Sequence, residues 1–265
     1  MNMVIFRNSL LLWIALAVPV LLAQGPGAPN LQSENAQALQ PQAEQLFTLA
    51  NQTRAAQGLG TLTWDPALAT AAMKHCQRMT VEGPISHRYG GELDLTSRAG
   101  QAGAHFSLIE ENIAVGPSPD RIHTGWMNSP GHRANLLSPD IDRVGIAVVA
   151  SGELIFAVAD YSRGVPTLTP TQVEANIAEM LRARGLTILT DTTQARTYCA
   201  SSSRFTGLNA PGFLMRWQNP DMSQLPKDLA ARVASGQYRR AAVGSCPAQD
   251  VEGAFTIYRV AVLLY

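Results

Sequence analysis

Two prolines fall within the six residues Val165-Pro166-Thr167-Leu168-Thr169-Pro170, and they set the strongest limit on how this chain can fold. Proline lacks the N–H that a sheet ladder needs and breaks a helix interior, so no central strand or continuous helix crosses the stretch. The 265 residues are long enough for two packed units. The proline pair puts the boundary between them, with the second unit expected over residues 169–265.

Before the boundary the pattern is mixed. From about Gln42 the apolar residues Leu46, Leu49 and Ala50 have helical spacing, and that helix is expected to stop near Gly58. Asp65 can cap a second helix whose first turn holds Pro66, where a missing N–H costs nothing; it should run to about Thr80. Asp94 reads as the cap of a short helix, and Glu110-Glu111-Asn112-Ile113 as an irregular or short extended segment. Ser118-Pro119 starts a helix with Ile122 and Trp126 on one face, which Pro130 is expected to end. Asp142 to Ala150 and Leu154 to Tyr161 are rich in Val, Ile and Ala around Ser151-Gly152-Glu153 and read as a hairpin. The order of these elements points to a sheet covered by helices on both sides.

The second unit carries an echo of the first. Arg54-AAQGLGTLTWD-Pro66 and Arg182-ARGLTILTD-Thr192 share a helix end, a Gly-Leu pair, a short Leu-Thr strand and an aspartate. Each precedes a helix holding a cysteine, Cys76 or Cys199. The ends also match in kind, Arg143-VGIAVVA with LIFAVADY against Arg240-AAVGSC with FTIYRVAVLLY. Chance likeness of short α/β signals competes with a shortened, degenerate repeat. The second copy would hold no site, since it contains no histidine.

The first residues, MNMVIFRNSLLLWIALAVPVLLAQ, have one charge at Arg7, an apolar run from Leu10 to Ala23 and then Gln24-Gly25-Pro26-Gly27. That is the form of a secretory signal peptide. The run is shorter than the roughly 20 apolar residues that span a bilayer. Residues 1–23 are therefore read as signal peptide and 24–40 as a flexible linker. The mature chain is expected to be secreted, extracellular or periplasmic, with no transmembrane segment. Lys plus Arg number 20 and Asp plus Glu number 20, so no overall positive field exists to draw in nucleic acid. Of three cysteines, Cys76 shares a helical face with Leu68, Ala72 and Met79 and reads as a buried free thiol. Cys199 and Cys246 then form the natural disulfide of an exported protein.

Of the five histidines, His75 reads as a surface or boundary residue, and His105 and His123 have no acidic or cysteine partner at ligand spacing. His87, in Ser86-His87-Arg88 after Gly83-Pro84, and His132, after the Pro130-Gly131 break, lie where loops can converge, with Glu111 between them in sequence. Two imidazoles and a carboxylate can hold zinc, or the carboxylate can orient one ring. Ser129 beside His132 admits a Ser-His reading, but no nucleophile elbow surrounds it and it is expected to cap the Pro130 turn.

The segments ISHRYGG with His87, EENIAVG with Glu111, WMNSPGHRANLLSPDIDRVGIAV with His132, and LANQTRAAQGLGTLTWDPALATAA resemble the signature segments of the CAP superfamily in its bacterial SCP-like form. The superfamily also contains cysteine-rich secretory proteins, insect venom antigen 5 proteins and plant pathogenesis-related proteins. The resemblance covers about residues 42–163 and leaves out the C-terminal unit. It implies a three-layer α/β/α sandwich (the CAP fold), here followed by a smaller α/β C-terminal domain. It also implies a cleft lined by two histidines and two acids, which in some members bind zinc or another divalent cation.

Carried over by motif, the histidines are His87 and His132 and one acid is Glu111. The second acid's position is Ser129, which leaves three good ligands. Glu110 stands where the family commonly has glycine, and is expected to be solvated. The expectation is a secreted binding module whose His87, Glu111, Ser129 and His132 cleft takes a divalent metal, a lipid, a sterol or a cell-wall fragment without turning it over. The competing reading is a metal-dependent hydrolase in which His87 and His132 hold zinc and Glu111 is the base.

Overall fold

The structure, a computed structural model, describes residues 40–201, 211–247 and 257–265. The expected signal peptide and all but the last residue of the expected linker lie outside the described residues. In the first lobe the helices are α1 (Pro41–Ala56), α2 (Pro66–Met79), α3 (Leu95–Gln101), α4 (Pro119–Asn128) and α5 (Pro130–Leu136). The strands are β1 (Thr63–Trp64), β2 (Phe106–Gly116), β3 (Arg143–Ser151) and β4 (Leu154–Gly164). The start signals act as expected. Asp65 accepts the N–H groups of Ala67 at 2.8 Å and Leu68 at 3.1 Å, and Asp94 accepts that of Ser97 at 2.7 Å.

Two local expectations need correction. Glu110 to Ile113 is extended, the second of the two readings, but it is neither short nor isolated: it is the middle of β2, paired with β4 from Glu110↔Tyr161 to Gly116↔Ile155. Pro130 does not simply end a helix: α4 stops at Asn128, and Pro130 occupies the first position of a new helix, α5. A proline is as well suited to the first turn of a helix as it is unsuited to the interior, so the same residue serves both functions. Ser129 stands at the junction, but its side chain makes no cap hydrogen bond.

The sheet runs in the order β1-β3-β4-β2, with β1 parallel to β3 and the other pairs antiparallel. Alternation along β3 explains the layers. Val144, Ile146 and Val148 join Leu46 of α1, Ile122 and Trp126 of α4, and Leu136 of α5 in one core. Ala147, one step out of phase, joins Ala72, Cys76 and Met79 of α2 on the other face. Gly145 lies between them in phase with Ala147, and a Cβ there would fall on the backbone of Leu68 and Ala69. Only glycine lets α2 approach β3 so closely.

The second lobe repeats this plan. Its helices are α6 (Pro170–Arg182), α7 (Thr193–Ala200) and α8 (Lys227–Ala234), and its strands are β5 (Thr187–Ile188), β6 (Phe213–Asn219), β7 (Arg240–Cys246) and β8 (Tyr258–Leu264). The sheet order is β5-β7-β8-β6, again with the short strand parallel and the rest antiparallel. Gly244 of β7 meets the backbone of Ala195 and Arg196 of α7, as Gly145 meets α2. The repeat is not strict. Thr63 pairs with Arg143, two residues before Gly145, whereas Thr187 pairs with Arg240, four before Gly244, so β5 is slid by two.

These glycines also align the cysteines. Three residues beyond Ala69 is Ala72, and three beyond Arg196 is Cys199; two beyond Gly145 is Ala147, and two beyond Gly244 is Cys246. The Cys199–Cys246 disulfide, with Cα atoms 5.7 Å apart, therefore stands where the first lobe packs Ala72 against Ala147. Cys76 is free and buried as expected, but it does not occupy the position that Cys199 occupies.

Candidate functional site

Glu111 lies at the centre of β2, the outer strand of its sheet, and is paired in register with Asp160 of β4, which is in turn paired with Gly145 of β3. Directly opposed residues of antiparallel strands point to the same face, so Glu111 and Asp160 share the α2 face. Glu111 is 6% exposed. Its Oε1 accepts a hydrogen bond from His87 Nδ1 at 2.7 Å, and its Oε2 accepts one from the guanidinium of Arg98 on α3. An ionised carboxylate only accepts, so His87 carries its hydrogen on Nδ1 and turns Nε2 outward. The His87 side chain is 61% exposed.

The loop that carries His87 is fastened from below. His75 of α2, expected at the surface, is fully buried. Its Nδ1 meets Glu92 Oε1 at 2.8 Å, and its Nε2 meets the carbonyl oxygen of Ser86 at 2.9 Å. Glu92 Oε2 accepts the N–H of Tyr89, and Arg98 donates to the carbonyl of His87 at 3.2 Å. His75 was misread because a face assigned by helical period shows only what packs on its own lobe core, and here a polar loop folds over the helix.

His132 comes from the opposite face. Asn112, next to Glu111 and hence turned away from it, donates to the carbonyl of His132 at 2.9 Å. Asn135 of α5 donates to the carbonyl of Glu111 at 3.0 Å and to Oδ1 of Asn112 at 3.1 Å. The end of α5 is held by buried Arg54, which donates to the carbonyls of Leu136 at 2.9 Å and Ser138 at 2.8 Å. Trp126 Nε1 reaches the carbonyl of Ile113 at 3.2 Å. The outer strand β2 thus serves as a rail, with His87 mounted from the α2 face and His132 from the α5 face.

The electrostatics follow from this arrangement. The bond to Glu111 raises the His87 imidazole above its ordinary value, more than burial lowers it. Burial lowers His132, and the facing charge of His87 lowers it further, so the two rings sense each other. Burial alone would raise the Glu111 carboxyl, but the His87 hydrogen bond and the Arg98 charge bring it below the usual carboxylate range. Glu110, on the other face, is less solvated than expected. Among the described residues its Oε2 is buried without a hydrogen-bond partner, and burial followed by repulsion from Asp140 raises the carboxyl.

His105 and His123 stand apart from the cleft: His105 stacks on Tyr258 with ring centroids 6.3 Å apart, and His123 Nε2 meets Thr53 Oγ1 at 2.8 Å.

A structural or catalytic zinc ion takes three or four protein ligands. Both oxygens of Glu111 are already engaged, and a divalent cation bound there would sit beside the buried guanidinium of Arg98. Two imidazoles remain. Among the described residues no group of three or more His, Cys, Asp and Glu is placed to hold a metal ion. The donor set does not fit a divalent ion held by the protein alone.

Sequence reasoning missed Arg98, His75, Glu92 and Asp160. Asp160 had a signal: an aspartate within AVADYS, in phase with Val158 and directly after the apolar run Ile155 to Ala159. In the second lobe the row Glu111, Asp160, Gly145 becomes Arg216, Ala261, Gly244, so neither carboxylate survives there.

Residues 47–161 match the family described as the cysteine-rich secretory protein family, CAP. Among curated proteins, the uncharacterized protein YkwD of Bacillus subtilis (strain 168) is 32% identical over 115 residues, 42% of this chain and 44% of that protein. The uncharacterized membrane protein YlbC of the same organism is 34% identical over 110 residues, 40% of this chain and 31% of that protein. The chain spans less than half the length of either relative. Among solved structures, an extracellular protein containing a SCP domain from Bacillus anthracis str. Ames is 29% identical over 48% of this chain and 44% of that one, with a TM-score of 0.42. No helix among the described residues is long and apolar enough to cross a membrane. With the four motif segments folded around one strand and the family match spanning them, residues 47–161 are a CAP domain and belong to the cysteine-rich secretory protein family.

Proposed function

We propose that this is an exported CAP-domain protein whose cleft binds a small hydroxyl- and amide-bearing ligand, of the kind a cell-wall fragment presents, through His87 and His132, without hydrolysing it. The observation that carries the reading is the state of Glu111. Its two oxygens are engaged by His87 and Arg98 and it is buried, which suits it to orient a ring and not to take a proton from water. Loss of that base removes the main support for hydrolysis, since a general base must reach the proton that it abstracts. Outward-turned Nε2 of His87, the His132 ring and the Ser129 hydroxyl are donors and acceptors that neutral polar groups satisfy well. Export rests on the leader-like first residues.

The test is imidazole-detected NMR of the full mature chain titrated with a muropeptide digest of peptidoglycan. The expected result is a saturable shift of both rings that is lost in His132→Ala, with the digest recovered unchanged. Cleavage of the digest that depends on His132 would favour the hydrolase, and unshifted rings would remove the binding reading.

A further inference from the structure

Below the cleft, Asp160 is fully buried, and among the described residues neither Oδ1 nor Oδ2 has a hydrogen-bond donor. A carboxylate in that position would be costly, because an ionised group removed from water needs a counter-charge and hydrogen bonds of its own. The groups that face it are few. Arg98 from α3 is bonded to Glu111 and to the carbonyl of His87, His75 from α2 is bonded to Glu92 and Ser86, and β3 offers only Gly145. Glu92 lies behind His75, and His87 lies beyond Glu111. The Glu111 carboxylate stands opposite it in register, on the same face.

Two carboxylates cannot bond to one another, whereas a carboxylic acid can donate to a carboxylate. We infer that Asp160 is a neutral carboxylic acid at physiological pH, and that its O–H donates to Glu111 as a positioning hydrogen bond beneath the cleft. Burial, and next the charge of Glu111, push the Asp160 carboxyl well above the usual carboxylate range, which agrees with the geometry. Glu111 is then held by three donors from three elements: His87 from its loop, Arg98 from α3 and Asp160 from β4. With one carboxyl neutral and the other paired to Arg98, the cleft floor has no surplus negative charge to attract a cation. The inference does not depend on which ligand the cleft takes.

Infrared spectra of the full chain with Asp carboxyls labelled by carbon-13 test it at neutral pH. One protonated aspartyl C=O band is expected in the native protein, where Asp160 is the one buried aspartate among the described residues. The band should vanish in Asp160→Asn, whose amide still donates to Glu111, while the His87 titration stays in place. In Asp160→Val the donor is gone, so Glu111 attracts the His87 proton more strongly and the His87 titration should move up. Absence of a protonated aspartyl band from the native protein would overturn the proposal without need of any variant, as would its survival in Asp160→Asn. A His87 titration that is the same in the Val variant would overturn the positioning role.

Discussion

Around Glu111 a single carboxylate is shared by His87 and Arg98, and the cost of removing either partner differs. Arg98 is buried, so Arg98→Met leaves a buried charge short of its counter-ion, and a loss of about 3–5 kcal/mol is expected. Adding Glu111→Gln removes that charge and should recover part of the loss, which chemical denaturation of the single and double variants measures. His87 is exposed and should show its effect in titration. Its folded value is raised, so its contribution to stability is present below about pH 6.5 and is lost as pH rises through the folded value. His132 is lowered, so the folded state favours its neutral form, and stability falls as pH drops below about 6.5. NMR should find the two rings titrating on opposite sides of the ordinary value; coincident titrations would contradict the Glu111 bond to His87 and the burial of His132. His87, Glu111 and His132 were legible because each sits in a compact signature segment. Arg98, His75 and Asp160 were not, because their partners are brought to them by loop folding and strand register, which local sequence does not contain.

The two glycines at helix–strand contacts decide how each sheet is covered. Gly145→Ala must push α2 off β3, and overpacking of this kind costs about 1–3 kcal/mol or more. Gly244→Ala should do the same to α7 on β7. Thermal denaturation of the two variants checks both; a substitution that leaves the melting temperature unchanged would mean the contact is not as close as described. In the second lobe the same contact is covalent, and loss of Cys199–Cys246, which closes 47 residues of chain, should cost about 2–4 kcal/mol. Helix starts were legible because caps and prolines act locally: Asp65, Asp94 and Ser118 cap as their spacing implies, and Thr169 caps α6 in the same way. Strand β2 was less so, since its Glu-Glu-Asn centre contradicts the apolar alternation of a half-buried strand. Those polar residues are the site itself and the bonds that mount it. Pro130 was legible as a break but not as a new start, because either outcome obeys the same rule.

Among the described residues the hydrophobic cores form two sets that share no residue, one built on β1–β4 and one on β5–β8. The proline-containing stretch between the two sheets is pinned by Tyr258, whose hydroxyl accepts the N–H of Leu168 at 2.7 Å and donates to the carbonyl of Pro166 at 3.1 Å, while its ring stacks on His105. We propose that residues 42–163 and 169–265 are separate cooperative units. Calorimetry should then resolve two transitions, of which only one moves when the disulfide is reduced; one transition that moves as a whole would contradict this. The echo of the first unit in the second was readable because it is a pattern of order, and the two sheets repeat it. In the second copy the strand positions of Glu111 and Asp160 are taken by Arg216 and Ala261, which only the register of the strands reveals. On the proposed reading the cleft is a hydrogen-bonding site whose acid, Glu111, is already engaged by His87 and Arg98. Isothermal titration calorimetry of the full chain with zinc chloride tests this most directly. No stoichiometric binding in the micromolar range is predicted, for the native protein and for Glu111→Gln alike; tight one-to-one binding that Glu111→Gln abolishes would contradict it.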